Sequence, residues 1–171
     1  MADLFGDWVP DKWINEVFDA CEKAPQHRYL FLTKNPKRYE EIVHRNDSEF
    51  MLRNAWFGAS ATTNEQLEKV YNSAAEWVSI EPIREEIKRH YFVRRERLSK
   101  DWVACSSRFA WVVVGAETGN QKSKVIPKKD WIMEIVDACI DSGTPIFMKE
   151  SLRDLMGDDF KQEFPWGENN G

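Results

Sequence analysis

Apolar residues in this chain fall into two arrangements: short unbroken runs, and stretches where they recur every three or four positions. The runs lie at 28–33 (Arg-Tyr-Leu-Phe-Leu-Thr), 55–60 (Ala-Trp-Phe-Gly-Ala-Ser), 76–80, 109–114 (Phe-Ala-Trp-Val-Val-Val) and 145–149. Their length and their β-branched and aromatic content predict strands. The run at 109–114 does not alternate, so it predicts a strand buried on both faces, as in a parallel sheet. Gly115 and Gly119 follow it and let the backbone turn sharply, leaving Glu117 at the strand's exit.

Helical spacing separates these runs. Residues 7–24 place Trp13, Val17, Phe18 and Cys21 on one face, with Pro10 in the first turn and Pro25 as a stop. Asn35 is a candidate cap for a helix reaching His44, with Tyr39, Ile42 and Val43 inward. Thr63 and Gln66 form a capping-box pattern for a helix ending near Ser73. Pro82 holds Glu81 in an extended conformation at the end of the third strand. A helix over 128–141 carries Trp131, Ile135, Val136 and Cys139 and stops at Gly143. Ser151 is placed to cap a short helix ending near Gly157. The tail 162–166 is expected to pack back through Phe164 and Trp166, and 167–171 to fray.

The stretch 83–108 breaks the alternation. It is rich in Arg and Lys with Tyr91 and Phe92 among them, and is read as a basic helical hairpin or excursion. A solvated helix face explains its charge, and so does a partner or nucleic-acid surface at 84–100, with Arg89, Arg94, Arg95 and Arg97 as the contacts. The whole pattern predicts a single α/β domain over 1–171. It should hold a parallel sheet of about five strands joined by right-handed crossovers.

Composition narrows the classes. A net charge of −5 gives no global attraction to nucleic acid, and no stretch approaches the apolar length of a membrane span. The start, Met-Ala-Asp-Leu-Phe, lacks the pattern of a signal peptide, so a cytoplasmic protein without membrane attachment is expected. Cys21, Cys105 and Cys139 have no metal-binding spacing and are read as buried or free thiols; no metal site is expected.

Ligands of parallel α/β folds bind at the carboxyl ends of the strands. The candidates there are Lys34, Asn35, Ser60, Glu81, Glu117, Thr118 and Lys149. Two acids and two lysines on one rim suit a polar ligand, a divalent metal between Glu81 and Glu117, or acid–base work. Structural ion pairs, Glu81 with Lys34 or Glu117 with Lys149, account for the same residues equally well. Lys149 is also positioned as a Schiff-base lysine would be. Gly115-Ala116-Glu117-Thr118-Gly119 lacks dinucleotide-fingerprint spacing.

Several motifs keep one order along nearly the whole chain: Asp3-Leu4-Phe5-Gly6-Asp7-Trp8-Val9-Pro10, Phe31-Leu32-Thr33-Lys34-Asn35-Pro36, Trp56-Phe57-Gly58, Val78-Ser79-Ile80-Glu81-Pro82, Val114-Gly115-Ala116-Glu117-Thr118-Gly119-Asn120, Val125-Ile126-Pro127-Lys128, Phe147-Met148-Lys149 and Glu163-Phe164-Pro165-Trp166. Together they resemble a phage-associated family of unknown function that is itself similar to radical S-adenosylmethionine barrels. The resemblance implies a partial TIM-like barrel. It also implies, for longer members, S-adenosylmethionine and a four-iron four-sulfur cluster held by a Cys-x-x-x-Cys-x-x-Cys-like motif. This sequence does not contain that motif, so no cofactor is expected for the chain alone.

The leading expectation is therefore a truncated, non-catalytic relative that acts by binding a protein or nucleic-acid partner. One alternative is the C-terminal half of a split radical S-adenosylmethionine enzyme; another is a cluster-independent, metal-assisted enzyme. The first strand is expected to present an open edge. It would be met by a second copy, by a partner supplying further strands, or by the N-terminal helix folding over it.

Overall fold

A computed structural model describes residues 3–45, 52–97, 103–119 and 124–167. Chain order begins with α1 (Asp11–Glu22), β1 (Tyr29–Thr33), α2 (Lys37–Arg45), β2 (Ala55–Ala61), α3 (Asn64–Tyr71) and β3 (Trp77–Ile80). It continues with β4 (Arg94–Arg97), β5 (Val103–Ser106), β6 (Trp111–Val114), α4 (Lys129–Ser142), β7 (Ile146–Met148) and α5 (Arg153–Met156). One sheet has the order β1-β2-β3-β6-β7, and every neighbouring pair is parallel. All five predicted runs are its strands, and the fold is α/β.

Strands that follow one another in both sequence and space, with crossovers of one hand, place their helices on one face. The core has this arrangement. Ile14, Phe18, Tyr39, Leu67, Ile132 and Ile135 from the helices share one buried cluster with Ala59, Ala61, Val78, Ile80, Val112, Val114, Ile146 and Met148 from the strands. The alternate strand residues face the other way. Trp77, Trp111 and Val113, with Trp56, Phe147 and the tail's Trp166, form a separate cluster there. Helices on one face of a parallel sheet are also the arrangement of a barrel wall, whose second face in a full barrel closes on itself.

Gly58 lies on the second face beside Trp77, which accounts for the glycine. A Cβ at Gly58 would stand 2.1 Å from the Trp77 ring. The tail closes the far edge of the sheet: Met148 N donates to Lys161 O at 2.8 Å and Glu163 N to Ile146 O at 2.9 Å. Trp166 packs against Trp56 and Trp111, with the Arg28 guanidinium 4.1 Å above its ring, so the tail does fold back through its aromatics. Residues 168–171 lie outside the described part.

Several local expectations are corrected. The first helix begins at Asp11, and Trp13 is 57% exposed while Ile14 takes the buried position. The stretch 83–108 is not a helical hairpin. After a single 3-10 turn at Arg89–Tyr91 it forms an antiparallel pair, β4 with β5. The charge run masked the strand preference of Val103, while Val93, Phe92 and Tyr91 dock the excursion into the main core. Ser151 does not cap a helix; its Oγ accepts from Ala116 N at 3.0 Å and ties the segment after β7 to the end of β6. The expected inward side chain of Val43 lies outside the described part.

Candidate functional site

Strand alternation puts Lys34, Ser60, Glu81, Glu117 and Lys149 on the second face, at the carboxyl ends of β1, β2, β3, β6 and β7 in turn. A cleft of about 410 Å³ opens at this rim, lined by Lys34, Pro36, Ser60, Thr62, Gln66, Lys69, Glu81, Pro82 and Arg84 among others. Ligand sites of α/β folds occupy the same end of the sheet.

The ion pairs differ from both expected pairings. Glu81 accepts from Lys149 Nζ, and Glu117 Oε1 lies 3.8 Å from an Arg84 terminal nitrogen. β6 lies between β3 and β7, so the first pair must cross it. It does so above Gly115, where a Cβ would stand 3.0 Å from Glu81 Oε1. Gly115 therefore serves to leave room for a carboxylate, and the positive-φ turn falls at Gly119. Glu117 Oε2 also accepts from Val125 N at 3.4 Å. Each acid proposed for a divalent metal thus faces a cation. Among the described residues no group of three or more His, Cys, Asp or Glu is placed to hold a metal.

Lys34 differs from the other cations. Its backbone N donates to Asp3 Oδ2 at 2.9 Å, and Asp3 also accepts from Thr33 Oγ1 at 2.9 Å and Phe5 N at 3.0 Å. The side chain is exposed, and its ammonium has no acidic partner among the described residues. Asp3 was missed at the sequence level. Its signal was an acid seven residues before Pro10, with nothing local to reveal a partner thirty positions away.

Asn35 is not a side-chain cap and does not face the cleft. Its Nδ2 donates to Phe5 O at 3.0 Å and Asp7 Oδ1 at 2.7 Å, fastening the N-terminal segment over the end of β1. Thr118 is exposed in the turn after Glu117. Arg89 is held by Asp141 of α4 at 2.5 Å rather than presented to a partner. Arg94, Arg95 and Arg97 lie in β4, and their side chains fall outside the described part.

Cys21 and Cys139 do not fit a cluster. Cys21 and Cys139 are buried on α1 and α4. Burial raises the Cys21 thiol, and burial with nearby Glu163 pushes Cys139 up to about 12. Thiolate ligands need the opposite shift. The Cys105 side chain is outside the described part.

Over residues 1–155 the chain matches the family described as Protein of unknown function (DUF5131). The chain belongs to this family. No curated protein and no solved structure matches it. No helix among the described residues is long and apolar enough to cross a membrane.

Proposed function

We propose that this DUF5131 chain is a binding component: a barrel wall of five strands whose β1 edge takes a strand from a protein partner, and not a catalyst by itself. One observation carries the reading, the inequality of the two sheet edges. The tail pairs with β7, whereas no strand among the described residues pairs with the outer side of β1. Tyr29 N donates to Asn54 O, so Tyr29, Phe31 and Thr33 address β2. Leu30 and Leu32 turn their backbone groups to the open side. Their side chains are each 43% exposed on the second face. An apolar, unpaired edge is a template for another strand.

The N-terminal helix does not cover this edge. Phe18 of α1 packs on Phe31 and Phe57, on the helix-bearing face. A nucleic-acid partner at 84–100 has less support, because Arg89 is held by Asp141 of α4. In this reading the chain is a phage-encoded relative of radical S-adenosylmethionine barrels, as its motif resemblance implies. In that reading the cluster and S-adenosylmethionine belong to the longer members.

A second reading is favoured by the rim. Lys34, Ser60, Glu81, Glu117 and Lys149 converge from five strands, as substrate-facing residues of a split enzyme would. A separate cluster-binding chain would complete it.

The test is co-expression with the N-terminal portion of a longer family member, followed by light scattering on the purified material. A one-to-one complex is expected, with the Leu30 and Leu32 amides protected from hydrogen exchange. Leu30→Lys with Leu32→Lys should abolish it. A chain that stays monomeric, or a complex indifferent to those substitutions, would overturn the reading. Anaerobic iron and sulfide reconstitution of the complex then separates the two readings: a cluster spectrum with turnover supports the split enzyme.

A further inference from the structure

We propose that the rim cleft binds a small molecule through a phosphate monoester group. This deepens the split-enzyme reading, on which it rests, by naming the ligand class of the rim. The inference begins with which charges are already balanced. Glu81 is neutralised by Lys149, and Lys69 donates to Glu65 at 3.0 Å. Lys34 has no acidic partner among the described residues, and the Arg84 guanidinium stands 3.8 Å from Glu117, beyond hydrogen-bond distance. The cleft therefore holds an ammonium with no acid beside it and an exposed guanidinium not hydrogen-bonded to its acid, both able to donate to an anion.

Their placement favours a tetrahedral dianion over a carboxylate. Lys34 follows β1, Ser60 lies in β2 and Arg84 follows β3, and these three strands are neighbours. Thr33 pairs with Ala59, so Lys34 and Ser60 stand at one level, and both line the cleft with Arg84. Donors thus arrive from three separate elements. A phosphate offers three acceptor oxygens to such a set, whereas a planar carboxylate is satisfied by one bidentate fork. Asp3 fixes the Lys34 backbone, so the cation sits on a clamped strand end rather than a free loop. The 410 Å³ cleft falls within the range of small-molecule sites, roughly 300–1,000 Å³.

Isothermal titration of the full chain with inorganic phosphate, against acetate and chloride at matched ionic strength, tests this. Saturable phosphate binding with weak acetate binding is expected. Lys34→Ala and Arg84→Ala should each weaken it about tenfold or more, as loss of a charge-assisted hydrogen bond does. Lys37→Ala, on α2 outside the cleft, should change nothing. Both tested side chains are exposed, and unchanged melting midpoints will show that the variants fold. Absent saturation, equal acetate binding, or a Lys34→Ala chain that binds like wild type would each overturn the proposal. Because the chain is tested alone, such a failure is distinct from failure of the split-enzyme reading, which is decided by iron and sulfide reconstitution of the complex.

Discussion

Lys149 reaches Glu81 across the full width of β6, and Gly115 is the residue that lets it. The two side chains are 42% and 28% exposed, so the pair adds little to stability, about 0–1 kcal/mol. Its effect is on the cleft, where it cancels the only carboxylate among the described lining residues. Gly115→Val should push the carboxylate aside and free the ammonium. Mass-spectrometric measurement of Lys149 acylation should show it rising about twofold or more, in proportion to the lost pairing. Unchanged reactivity would mean that the pair does not depend on the gap above β6.

Gly58→Ala tests the second face. The new Cβ would lie 2.1 Å from Trp77, whose ring is 5% exposed and has no room to withdraw. Overpacking of this kind costs about 1–3 kcal/mol. Urea unfolding followed by tryptophan emission should show that loss. A variant as stable as wild type would mean the Trp77–Trp111 cluster is loosely packed.

The clamp at the end of β1 should fail when its acceptor is removed. Asp3→Ala leaves the Thr33 hydroxyl and the Lys34 amide without their common oxygen, at a cost of about 1–3 kcal/mol. Hydrogen exchange at the Lys34 amide should accelerate, and Asp3→Asn, which keeps one carbonyl oxygen, should recover part of the protection. Equal exchange in all three chains would dismiss the clamp.

Acid should loosen the excursion through Glu68. Hydrogen bonds from Tyr91 Oη and Asn72 hold its carboxyl below the usual carboxylate range, while burial pushes the Tyr91 hydroxyl up to about 12. A carboxyl lowered in the folded state contributes stability above its unfolded pKa and loses it as pH falls through the folded value. Tyr91→Phe should therefore flatten the acid limb of the stability curve, read from urea midpoints at neutral pH and below about pH 4. Parallel curves for the two chains would argue against the coupling.

Removing the chain from Lys161 onward should open the second edge. β7 would lose the pairing of Lys161, Gln162 and Glu163 and become free to meet β1 of another copy. Head-to-tail contacts do not close unless the geometry returns on itself, so light scattering should show association that grows with concentration. A truncated chain that remains folded and monomeric would show that the tail does not guard this edge.

The sequence by itself determined the strands and their company. Five apolar runs between helical spacings are enough for a parallel α/β sheet, because such strands must be covered and joined by crossovers. It also determined that Lys34, Ser60, Glu81, Glu117 and Lys149 share a rim, since each ends a strand of that sheet. The Gly143 cap of α4 was legible for the same local reason: its φ of +67° suits glycine.

Only the tertiary structure decided the pairings. Glu81 and Lys149 are 68 positions apart, and their meeting depends on which strand lies between them and on the missing Cβ of Gly115. Asp3 with Thr33, Asn35 with Phe5 and Ser151 with Ala116 are equally non-local. In each, a short polar side chain that could serve its own neighbours is captured by a distant backbone or hydroxyl, and local propensity carries no trace of the competition. The β4–β5 pair escaped for a related reason. Its charge run satisfies helix and strand patterns alike, and the choice falls to what Tyr91, Phe92 and Val93 bury against the core.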